Sequence, residues 1–338
     1  PPKYFQQEAD DLKCGALATP VGVDWDGDGD IDIISGNSAG YILFFKNLSA
    51  PGAEKPKWAA PKYLEAGGKV IRPMAGPNGS IQGPCEAKWG YTTLSVADWD
   101  GDGLPDILMN SILGKVVWFK NIGTRKSPKL ADAQPIEVEW NGPQPALAYG
   151  WLRPERKALL TQWRTTPVAV DWNRDGLTDL VMLDQEGYLA FFERAKRDGK
   201  LVLLPPKRVL CADPIEPVAK TRSDAKVKNP LALKPGEPLR LNTGIAGKSG
   251  RRKICIVDWD GDGKLDILLN SANATLMRQT ASADGKWFFQ DMGLLVEQNI
   301  EGHDVSPTVV DFNGDGIPDF LGGAEDGRFY YLKNPRMK

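Results

Sequence analysis

One nine-residue phrase occurs five times in this 338-residue chain and limits what the chain can fold into. Its first copy, Asp24 to Asp32, reads DWDGDGDID, and the other copies begin at Asp98, Asp171, Asp258 and Asp311. Oxygen-bearing side chains stand at positions 1, 3, 5 and 9, and a glycine at position 6 allows a sharp turn. A hard cation that takes about six to eight oxygen ligands suits this spacing, with the position-7 carbonyl completing the set. The phrase therefore predicts five calcium loops.

The predicted ligands of up to five Ca²⁺ ions are the residues at positions 1, 3, 5, 7 and 9. They are Asp24, Asp26, Asp28, Asp30 and Asp32; Asp98, Asp100, Asp102, Leu104 and Asp106; Asp171, Asn173, Asp175, Leu177 and Asp179; Asp258, Asp260, Asp262, Lys264 and Asp266; and Asp311, Asn313, Asp315, Ile317 and Asp319. Asn173 and Asn313 lower the charge of their loops, so we expect weaker binding there. The last ligand stands at position 9 and not at position 12, so the loops are not EF-hands.

Short apolar runs flank every loop and predict an all-β fold. The runs that precede the loops are Val21–Val23, Leu94–Ala97, Val168–Val170, Ile254–Val257 and Thr308–Val310. A second short strand and an aromatic-rich third strand follow each loop, and fourth strands are expected near Lys62–Leu64, Pro135–Trp140, Lys207–Cys211 and Phe288–Met292. Four antiparallel strands per repeat form the blade of a β-propeller. The aromatic residue at position 2 of every loop is expected to pack between blades.

The number of blades follows from the spacing of the loops. Consecutive loops begin 53 to 87 residues apart, whereas an ordinary blade takes about 40 to 50 residues. We expect five blades, with six or seven as the alternatives. The last repeat ends after its third strand, and the segment Tyr4–Ala9 precedes the first repeat. We therefore expect the N-terminal segment to supply the outer strand of the last blade, which removes an open sheet edge.

The chain is expected to form a single domain over residues 1–338. Its extra length falls at 65–92, 141–164 and 212–252, between an outer strand and the next inner strand. In a propeller these connections lie on one face and the calcium loops on the other. Insertions that gather on one face are typical of a binding face.

Composition narrows the class of partner. The formal net charge is −2, but the calcium loops concentrate the carboxylates, so the remaining surface is basic and favours an anionic partner. The basic residues are dispersed, which argues against nucleic acid. No apolar run is long enough to span a membrane.

Four cysteines show no zinc spacing, and a disulfide between Cys14 and Cys85 is left open. Calcium loops suit compartments rich in calcium, so we expect a monomer that is secreted, periplasmic or on the cell surface, with its leader peptide trimmed.

The repeats resemble the FG-GAP/VCBS family, whose calcium-loop blades build the propellers of integrin α subunits and of several secreted bacterial proteins. Some relatives in that family are polysaccharide lyases, and others are lectins. The resemblance implies the propeller fold and calcium. It implies no particular activity, because the repeated residues are structural. The single histidine of this chain, His303, departs from the lyases that use a pair of histidines.

Residues seven and eight positions before each loop carry the candidate site. They are Ala16-Leu17, Gly90-Tyr91, Trp163-Arg164, Gly250-Arg251 and His303-Asp304. Because the innermost strands of all blades converge on the propeller axis, these pairs should surround the axial entrance on the inserted face. Such convergence points are favoured places for a ligand site. The alternative is a set of polar caps that close the channel, and the sequence leaves both interpretations open.

The residue types around the entrance suit β-elimination from a uronic acid. No nucleophile elbow, zinc-protease motif or phosphate loop occurs in the chain. Tyr91 and His303 are the candidate base and acid, and Arg164 and Arg251 are candidates to neutralise the uronate carboxylate, which makes the adjacent proton acidic. The candidate substrate-binding residues are Glu86, Lys88, Trp89, Tyr149, Trp151, Trp163, Arg252 and Asp304. We predict a polysaccharide lyase, with a non-catalytic glycan-binding propeller or a glycoside hydrolase that uses two carboxylates as the alternatives.

Overall fold

The computed structural model describes residues 3–4, 13–50, 52–53, 55–147, 152–153, 155–220, 231–243, 245, 250–297, 299–300 and 304–336. This part of the chain is all-β, apart from one short 3-10 helix at Pro84–Glu86. Within it, no helix has the length and apolar character needed to cross a membrane. The predicted all-β class is confirmed.

The first strands of five sheets stand side by side in a closed ring. They are β2 Thr19–Val23, β8 Thr93–Ala97, β12 Val168–Val170, β18 Ile254–Val257 and β22 Ser306–Val310. Each of them contacts the next one in this order, and β22 returns to contact β2. Because the ring closes after five members, the described chain is a five-bladed β-propeller. The expected five blades are confirmed, and the alternatives of six or seven are wrong.

Blades 1, 2 and 5 each consist of four antiparallel strands. Blade 1 runs outward from β2 through β3 Asp32–Gly36 and β4 Ile42–Phe45 to β5 Lys62–Tyr63. Blade 2 runs from β8 through β9 Asp106–Asn110 and β10 Val117–Phe119 to β11 Gln134–Pro135. Blade 5 runs from β22 through β23 Asp319–Gly323 and β24 Phe329–Leu332 to β1 Lys3–Tyr4. Two hairpins stand outside the blades: β6 Glu65–Ala66 with β7 Lys69–Val70, and β15 Arg194–Arg197 with β16 Lys200–Leu203.

The N-terminal strand closes the ring as predicted. β1 pairs with β24 in antiparallel register, with Lys3 opposite Tyr331 and Tyr4 opposite Tyr330. The last blade takes its first three strands from the C-terminal end of the chain and its outer strand from the N-terminal end. The pairing covers the edge that β24 would otherwise expose.

The outer strand of the third repeat differs from its prediction. Blade 3 contains β12, β13 Asp179–Leu183 and β14 Leu189–Phe192. No fourth strand completes it within the described residues, and its outer edge instead forms isolated bonds, from Leu189 to Leu239 and between Phe191 and Lys207. The following segment, β17 Leu210–Ala212, pairs in parallel with β21 of the next blade. Blade 4 contains β18, β19 Asp266–Asn270, β20 Ala274–Ala283 and β21 Lys286–Leu294. Because β20 and β21 form a long hairpin with an open outer edge, the apolar segment covers that edge, and its three residues are buried.

The aromatic residue at position 2 of each loop packs between its own blade and the next one. Trp25, Trp99, Trp172, Trp259 and Phe312 each lie in a different apolar cluster, and each cluster joins two neighbouring blades. All five side chains are at most 9% exposed. The prediction that these aromatics pack between blades is confirmed.

Candidate functional site

The aspartate loops lie at the C-terminal ends of the inner strands. In three loops, three carboxylate oxygens lie within 4.8 Å of one another: Asp24, Asp26 and Asp32; Asp98, Asp100 and Asp106; and Asp258, Asp260 and Asp262. Such triads of hard oxygen donors are typical of calcium-binding repeats. In the third and fifth loops an asparagine replaces one carboxylate, and its amide donates to the position-5 aspartate, Asn173 to Asp175 at 2.9 Å and Asn313 to Asp315 at 3.0 Å.

The position-9 aspartate ties each loop to the third strand of its own blade. These residues are Asp32, Asp106, Asp179, Asp266 and Asp319, and all five are fully buried. One oxygen of each accepts a backbone N–H at 2.6 to 2.8 Å, from the residue two positions past the third strand in four blades and from Gln279 within the third strand of blade 4. In the first four blades the other oxygen accepts the N–H of the position-2 tryptophan, at 3.0 to 3.1 Å. Burial raises the pKa of the first four of these carboxyl groups to about 6.

The free oxygens of the first two loops fit a cation. Oδ1 of Asp26, Asp30 and Asp100 is buried and has no hydrogen-bond partner among the described residues. The other oxygen of Asp26 pairs with Lys46, and that of Asp100 pairs with Lys120. Since each carboxylate has two oxygens, a lysine on one and a metal ion on the other are compatible. Calcium bound here would neutralise the carboxylates and tie the loop together.

A cavity of about 560 Å³ lies at the opposite, N-terminal ends of the inner strands. Each blade contributes to its wall the residue seven positions before its first loop aspartate. These residues are Leu17, Tyr91, Arg164, Arg251 and Asp304. The structure therefore brings together one member of every residue pair that the sequence places around the axial entrance.

Four of these five residues have a left-handed backbone. The φ angles are 59° at Leu17, 47° at Tyr91, 57° at Arg164 and 63° at Arg251. The N–H of each of the four donates to a carbonyl oxygen of the preceding blade, at 3.0 to 3.3 Å. A non-glycine residue in this region carries strain of about 1 to 3 kcal/mol, and such strain gathers at functional sites. Its repetition around one cavity marks the cavity as the candidate site.

Arg164 is a buried cation that is already paired. Its side chain is 6% exposed and its Nη2 lies 2.9 Å from Oε1 of Glu86, whose side chain is 3% exposed. The guanidinium stacks on the ring of Tyr91 at 2.9 Å from the centroid and faces the ring of Trp163 at 4.2 Å. Burial lowers the pKa of Arg164 to about 10. Arg164 therefore positions Tyr91, and its charge is largely balanced by Glu86.

Three consecutive basic residues, Arg251, Arg252 and Lys253, form the blade 4 side of the cavity. Arg251 is exposed. Arg252 donates to Leu241 O at 3.0 Å, and its Nε is buried without a partner among the described residues. Lys253 is only 7% exposed. Burial lowers the pKa of its amine to about 8, and Asp304 is the acidic residue that acts against this shift.

The remaining predicted site residues are placed differently from one another. Trp89 lines the cavity with 45% of its surface exposed, and its ring centroid lies 5.1 Å from that of Tyr91. Glu86 and Trp163 are buried behind the wall and do not line the cavity, and Lys88 is exposed outside it. Tyr149, Trp151 and His303 lie outside the described residues.

The sequence reasoning did not single out Lys253. It directly follows Arg251 and Arg252 and directly precedes an inner strand. The signal that could have identified it is a third basic residue at the start of a buried strand.

The two cysteines whose pairing the sequence left undecided are free thiols: Cys14 is buried, Cys85 is exposed, and no disulfide joins them.

Comparison with known protein families identifies the repeat that holds the fourth and fifth loops. Residues 258–322, which run from the fourth loop through the fifth, match a family described as FG-GAP-like repeat. No curated protein matches the chain in sequence. Among solved structures, a crystal structure of BBS1N in complex with ARL6DN, soaked with lead, is 9% identical over 99% of this chain and 98% of that chain, with a TM-score of 0.41. The same complex soaked with mercury is 8% identical over 99% of this chain and 97% of that chain, with a TM-score of 0.35.

The fold and the loops define the class of this protein. It is a five-bladed β-propeller that contains an FG-GAP-like repeat and carries aspartate clusters typical of calcium-binding repeats. The resemblance inferred from the motif is thereby confirmed.

Proposed function

We propose that the axial cavity binds the carboxylate of a uronic-acid-containing polysaccharide and that the protein cleaves this polysaccharide by β-elimination. The observation that carries the proposal is the charge of the cavity wall. Three basic residues, Arg251, Arg252 and Lys253, line it against two carboxylates, Asp304 and Glu325, and the fourth lining cation, Arg164, is balanced by Glu86 behind the wall. A concave site with low-dielectric walls and an excess of one charge attracts ligands of the opposite charge.

The residues of the wall suit distinct steps of an elimination. Arg251 and Arg252 would neutralise the uronate carboxylate, which makes the neighbouring C–H acidic and stabilises the developing enolate. Burial raises the pKa of Tyr91, so its hydroxyl keeps its proton at neutral pH. Tyr91 therefore suits the role of proton donor to the leaving oxygen better than the role of base, and His303, the other residue of the pair predicted from the sequence, would take the proton from the C–H group. Arg164 acts by holding the ring of Tyr91 in place.

Calcium has a structural place in this proposal. We extend the three aspartate triads to all five loops as calcium sites, with weaker binding in the loops that contain Asn173 and Asn313. The loops and the cavity lie at opposite ends of the inner strands, so the ions would stabilise the ring without touching the substrate. Loops of this kind suit a compartment with millimolar calcium, and we include export from the cytoplasm in the proposal.

A non-catalytic glycan-binding propeller is the second candidate. The observation that favours it is Trp89, which is 45% exposed at the cavity beside Tyr91 and offers an aromatic face to a sugar ring. A glycoside hydrolase has less support, because Glu86, one of its candidate carboxylates, is buried in an ion pair with Arg164.

Absorbance and calorimetry separate these functions. The protein is incubated with calcium and a panel of uronate-containing polysaccharides, while the absorbance of unsaturated uronate is followed. Growth of that absorbance, and its loss in Tyr91→Phe, is the expected result. Arg197→Gln is the matched control for Arg252→Gln, the arginine variant of the binding experiment, because Arg197 is exposed in the β15–β16 hairpin and pairs with Glu139.

The same panel is titrated calorimetrically against the wild type and Arg252→Gln. Binding without any absorbance change would establish the glycan-binding function in place of the lyase. Absence of both binding and absorbance change across the panel would overturn the proposal.

A further inference from the structure

Lys253 differs from the other described lysines in its surroundings. It is the one lysine of the described residues whose side chain is buried, and it lines the axial cavity. Its backbone is held by two reciprocal bonds with Asn270, one from Lys253 N to Asn270 Oδ1 and one from Asn270 N to Lys253 O, both 3.0 Å long. The position of its Cα, at the start of an inner strand, is therefore well determined.

The residues that follow Lys253 show which way it faces. Ile254 packs in the apolar cluster between blades 3 and 4, and Cys255 packs against the cluster between blades 4 and 5. Side chains alternate along a strand, so Lys253 points to the blade 5 side, where Asp304 lines the same cavity. Among the described residues no carboxylate forms an ion pair with its amine.

The charged groups near the amine are mostly cations. Burial has the largest effect on its pKa and lowers it; Asp304 acts next to raise the pKa, and Arg164, Arg251 and Arg252 each lower it by a smaller amount. Burial and the three arginines destabilise the charged ammonium form more than Asp304 stabilises it. A substantial fraction of the amine is therefore neutral near pH 8. Buried lysines that lose their proton in this way serve proteins as nucleophiles and form Schiff bases with carbonyl compounds.

We propose that Lys253 is a nucleophilic amine that forms a Schiff base with a small carboxylate bearing an aldehyde or a ketone, held in the axial cavity. Arg251 and Arg252 precede Lys253 directly and would bind the carboxylate of the ligand. All three residues line the same cavity, so a small ligand whose carboxylate is bound in it can present its carbonyl group to the amine. The class of ligand is therefore an oxo acid, and 2-oxo acids and open-chain uronates both belong to it.

The chemistry needs no further reactant. The neutral amine attacks the carbonyl carbon, and the π electrons of the C=O bond move to the oxygen. That oxygen takes up a proton as the nitrogen loses one, which gives a carbinolamine. Loss of water then forms the C=N bond, so the carbonyl oxygen leaves as water and the imine takes a proton.

Reductive trapping with an anionic and a neutral aldehyde tests the proposal. The whole wild-type protein is treated at pH 8 with glyoxylate and cyanoborohydride, and peptide mass spectrometry measures carboxymethyl-lysine at every lysine. We expect Lys253 to be modified at least tenfold faster than Lys200, which is exposed in β16. Glycolaldehyde, a neutral aldehyde of similar size, should modify Lys253 at least fivefold more slowly than glyoxylate does.

Two results would overturn the proposal. One is a rate at Lys253 no greater than that at Lys200, and the other is equal modification of Lys253 by the two aldehydes. Because the site is mapped in the wild-type chain, no variant has to fold. The test uses no polysaccharide, so failure of the proposed elimination and failure of this proposal are seen separately.

Discussion

At the residue scale, four residues of the cavity wall have a backbone conformation that favours glycine, although each of them carries a large side chain. Arg251 has φ of 63°, and its exposed side chain has the guanidinium 5.6 Å from the centroid of the Trp163 ring. A glycine would adopt this φ without strain. Backbone strain is tolerated where function requires it. An arginine at this position is therefore consistent with a role for its charge in binding the ligand carboxylate.

Exchange of Arg251 separates its backbone strain from its charge. Arg251→Gly should raise the free energy of unfolding by about 0.5 to 1 kcal/mol, because glycine removes the steric strain at positive φ. Arg251→Ala is the matched control, since it loses the same charge and keeps the Cβ atom. Urea denaturation of the two variants measures the difference. An alanine variant as stable as the glycine variant would show that the position carries no strain, and both variants should bind uronate more weakly than the wild type.

Lys253 makes a prediction about stability and pH. Its folded pKa of about 8 lies below the ordinary value of 10.5. Below pH 8 the native state must hold a buried ammonium, so this group lowers stability there, and the loss disappears as the pH rises from 8 to 10.5. Lys253→Met should therefore be more stable than the wild type at pH 7, by up to about 3 kcal/mol.

The measurement is urea denaturation of both proteins at several pH values between 7 and 10.5. The difference between them should shrink steadily across this window. Arg164, with a pKa of about 10, is present in both proteins, so its own titration largely cancels in the comparison. A difference that stays constant with pH would contradict the assignment of a neutral amine.

At the scale of the elements, the position-2 aromatics hold neighbouring blades together. Trp172 lies between blades 3 and 4, with its ring edge-on to Trp287 at 5.6 Å and tilted against Phe289 at 6.2 Å. Both partners lie on β21, the outer strand of blade 4, whereas Trp172 belongs to the loop of blade 3. One side chain thus connects the inner part of one blade to the outer part of the next.

Truncation of Trp172 tests this connection. Trp172→Ala should lower the free energy of unfolding by about 3 to 5 kcal/mol, since it leaves a large cavity between two blades. Trp89→Ala is the control, because that side chain is 45% exposed and its loss should change stability by about 0.5 kcal/mol or less. Chemical denaturation measures both, and equal costs would mean that burial between blades does not set the contribution.

The placement of β17 shows how one element depends on another. Its residues are apolar enough for a strand in any blade, and they begin three positions after Lys207, which does bond to blade 3. Blade 4 offers a longer edge along β21, and Leu210, Cys211 and Ala212 become almost fully buried against it. The segment could pair with the edge of β14 in blade 3 or with the edge of β21 in blade 4, and it pairs with β21. The sequence of the segment alone cannot predict which of the two edges it joins.

At the scale of the whole molecule, the aspartate loops concentrate negative charge at one end of the inner strands. Three loops hold three carboxylate oxygens within 4.8 Å, and repulsion among them is relieved by a bound cation. Lys46, Lys120 and Arg278 pair with loop aspartates and balance part of this charge. They leave buried carboxylate oxygens in the first two loops for a metal ion.

Removal of divalent ions should therefore destabilise the entire propeller. Excess chelator is expected to lower the melting temperature strongly, and excess calcium should restore it, because each ion that binds only the folded state adds about 2.7 kcal/mol at a hundredfold excess over its Kd. Magnesium is the matched control, and it should restore less because it requires a smaller octahedral site. Differential scanning calorimetry makes the measurement. An unchanged melting temperature in chelator would show that the loops do not hold calcium.

The amino-acid sequence by itself determined the architecture and the one position of each blade that lines the axial cavity. The nine-residue phrase predicted the loops, the flanking runs predicted the strands, and the missing last strand predicted the closure by β1. The loops and the flanking strands depend on local chemistry that recurs in every repeat, so this one sequence shows the same pattern five times. The ring of residues around the axis followed as well, because every blade places the same position at the same point.

Tertiary structure alone decided which side chains of that ring are free to act. Arg164 and Glu86 are 78 residues apart, and only the packing of blade 3 on blade 2 pairs them. The same packing removes Glu86 and Trp163 from the cavity wall. Lys253 resembles any basic residue in the sequence, and its lowered pKa arises from burial among residues of several blades. Burial and electrostatic environment are sums over distant parts of the chain, and no local pattern contains them.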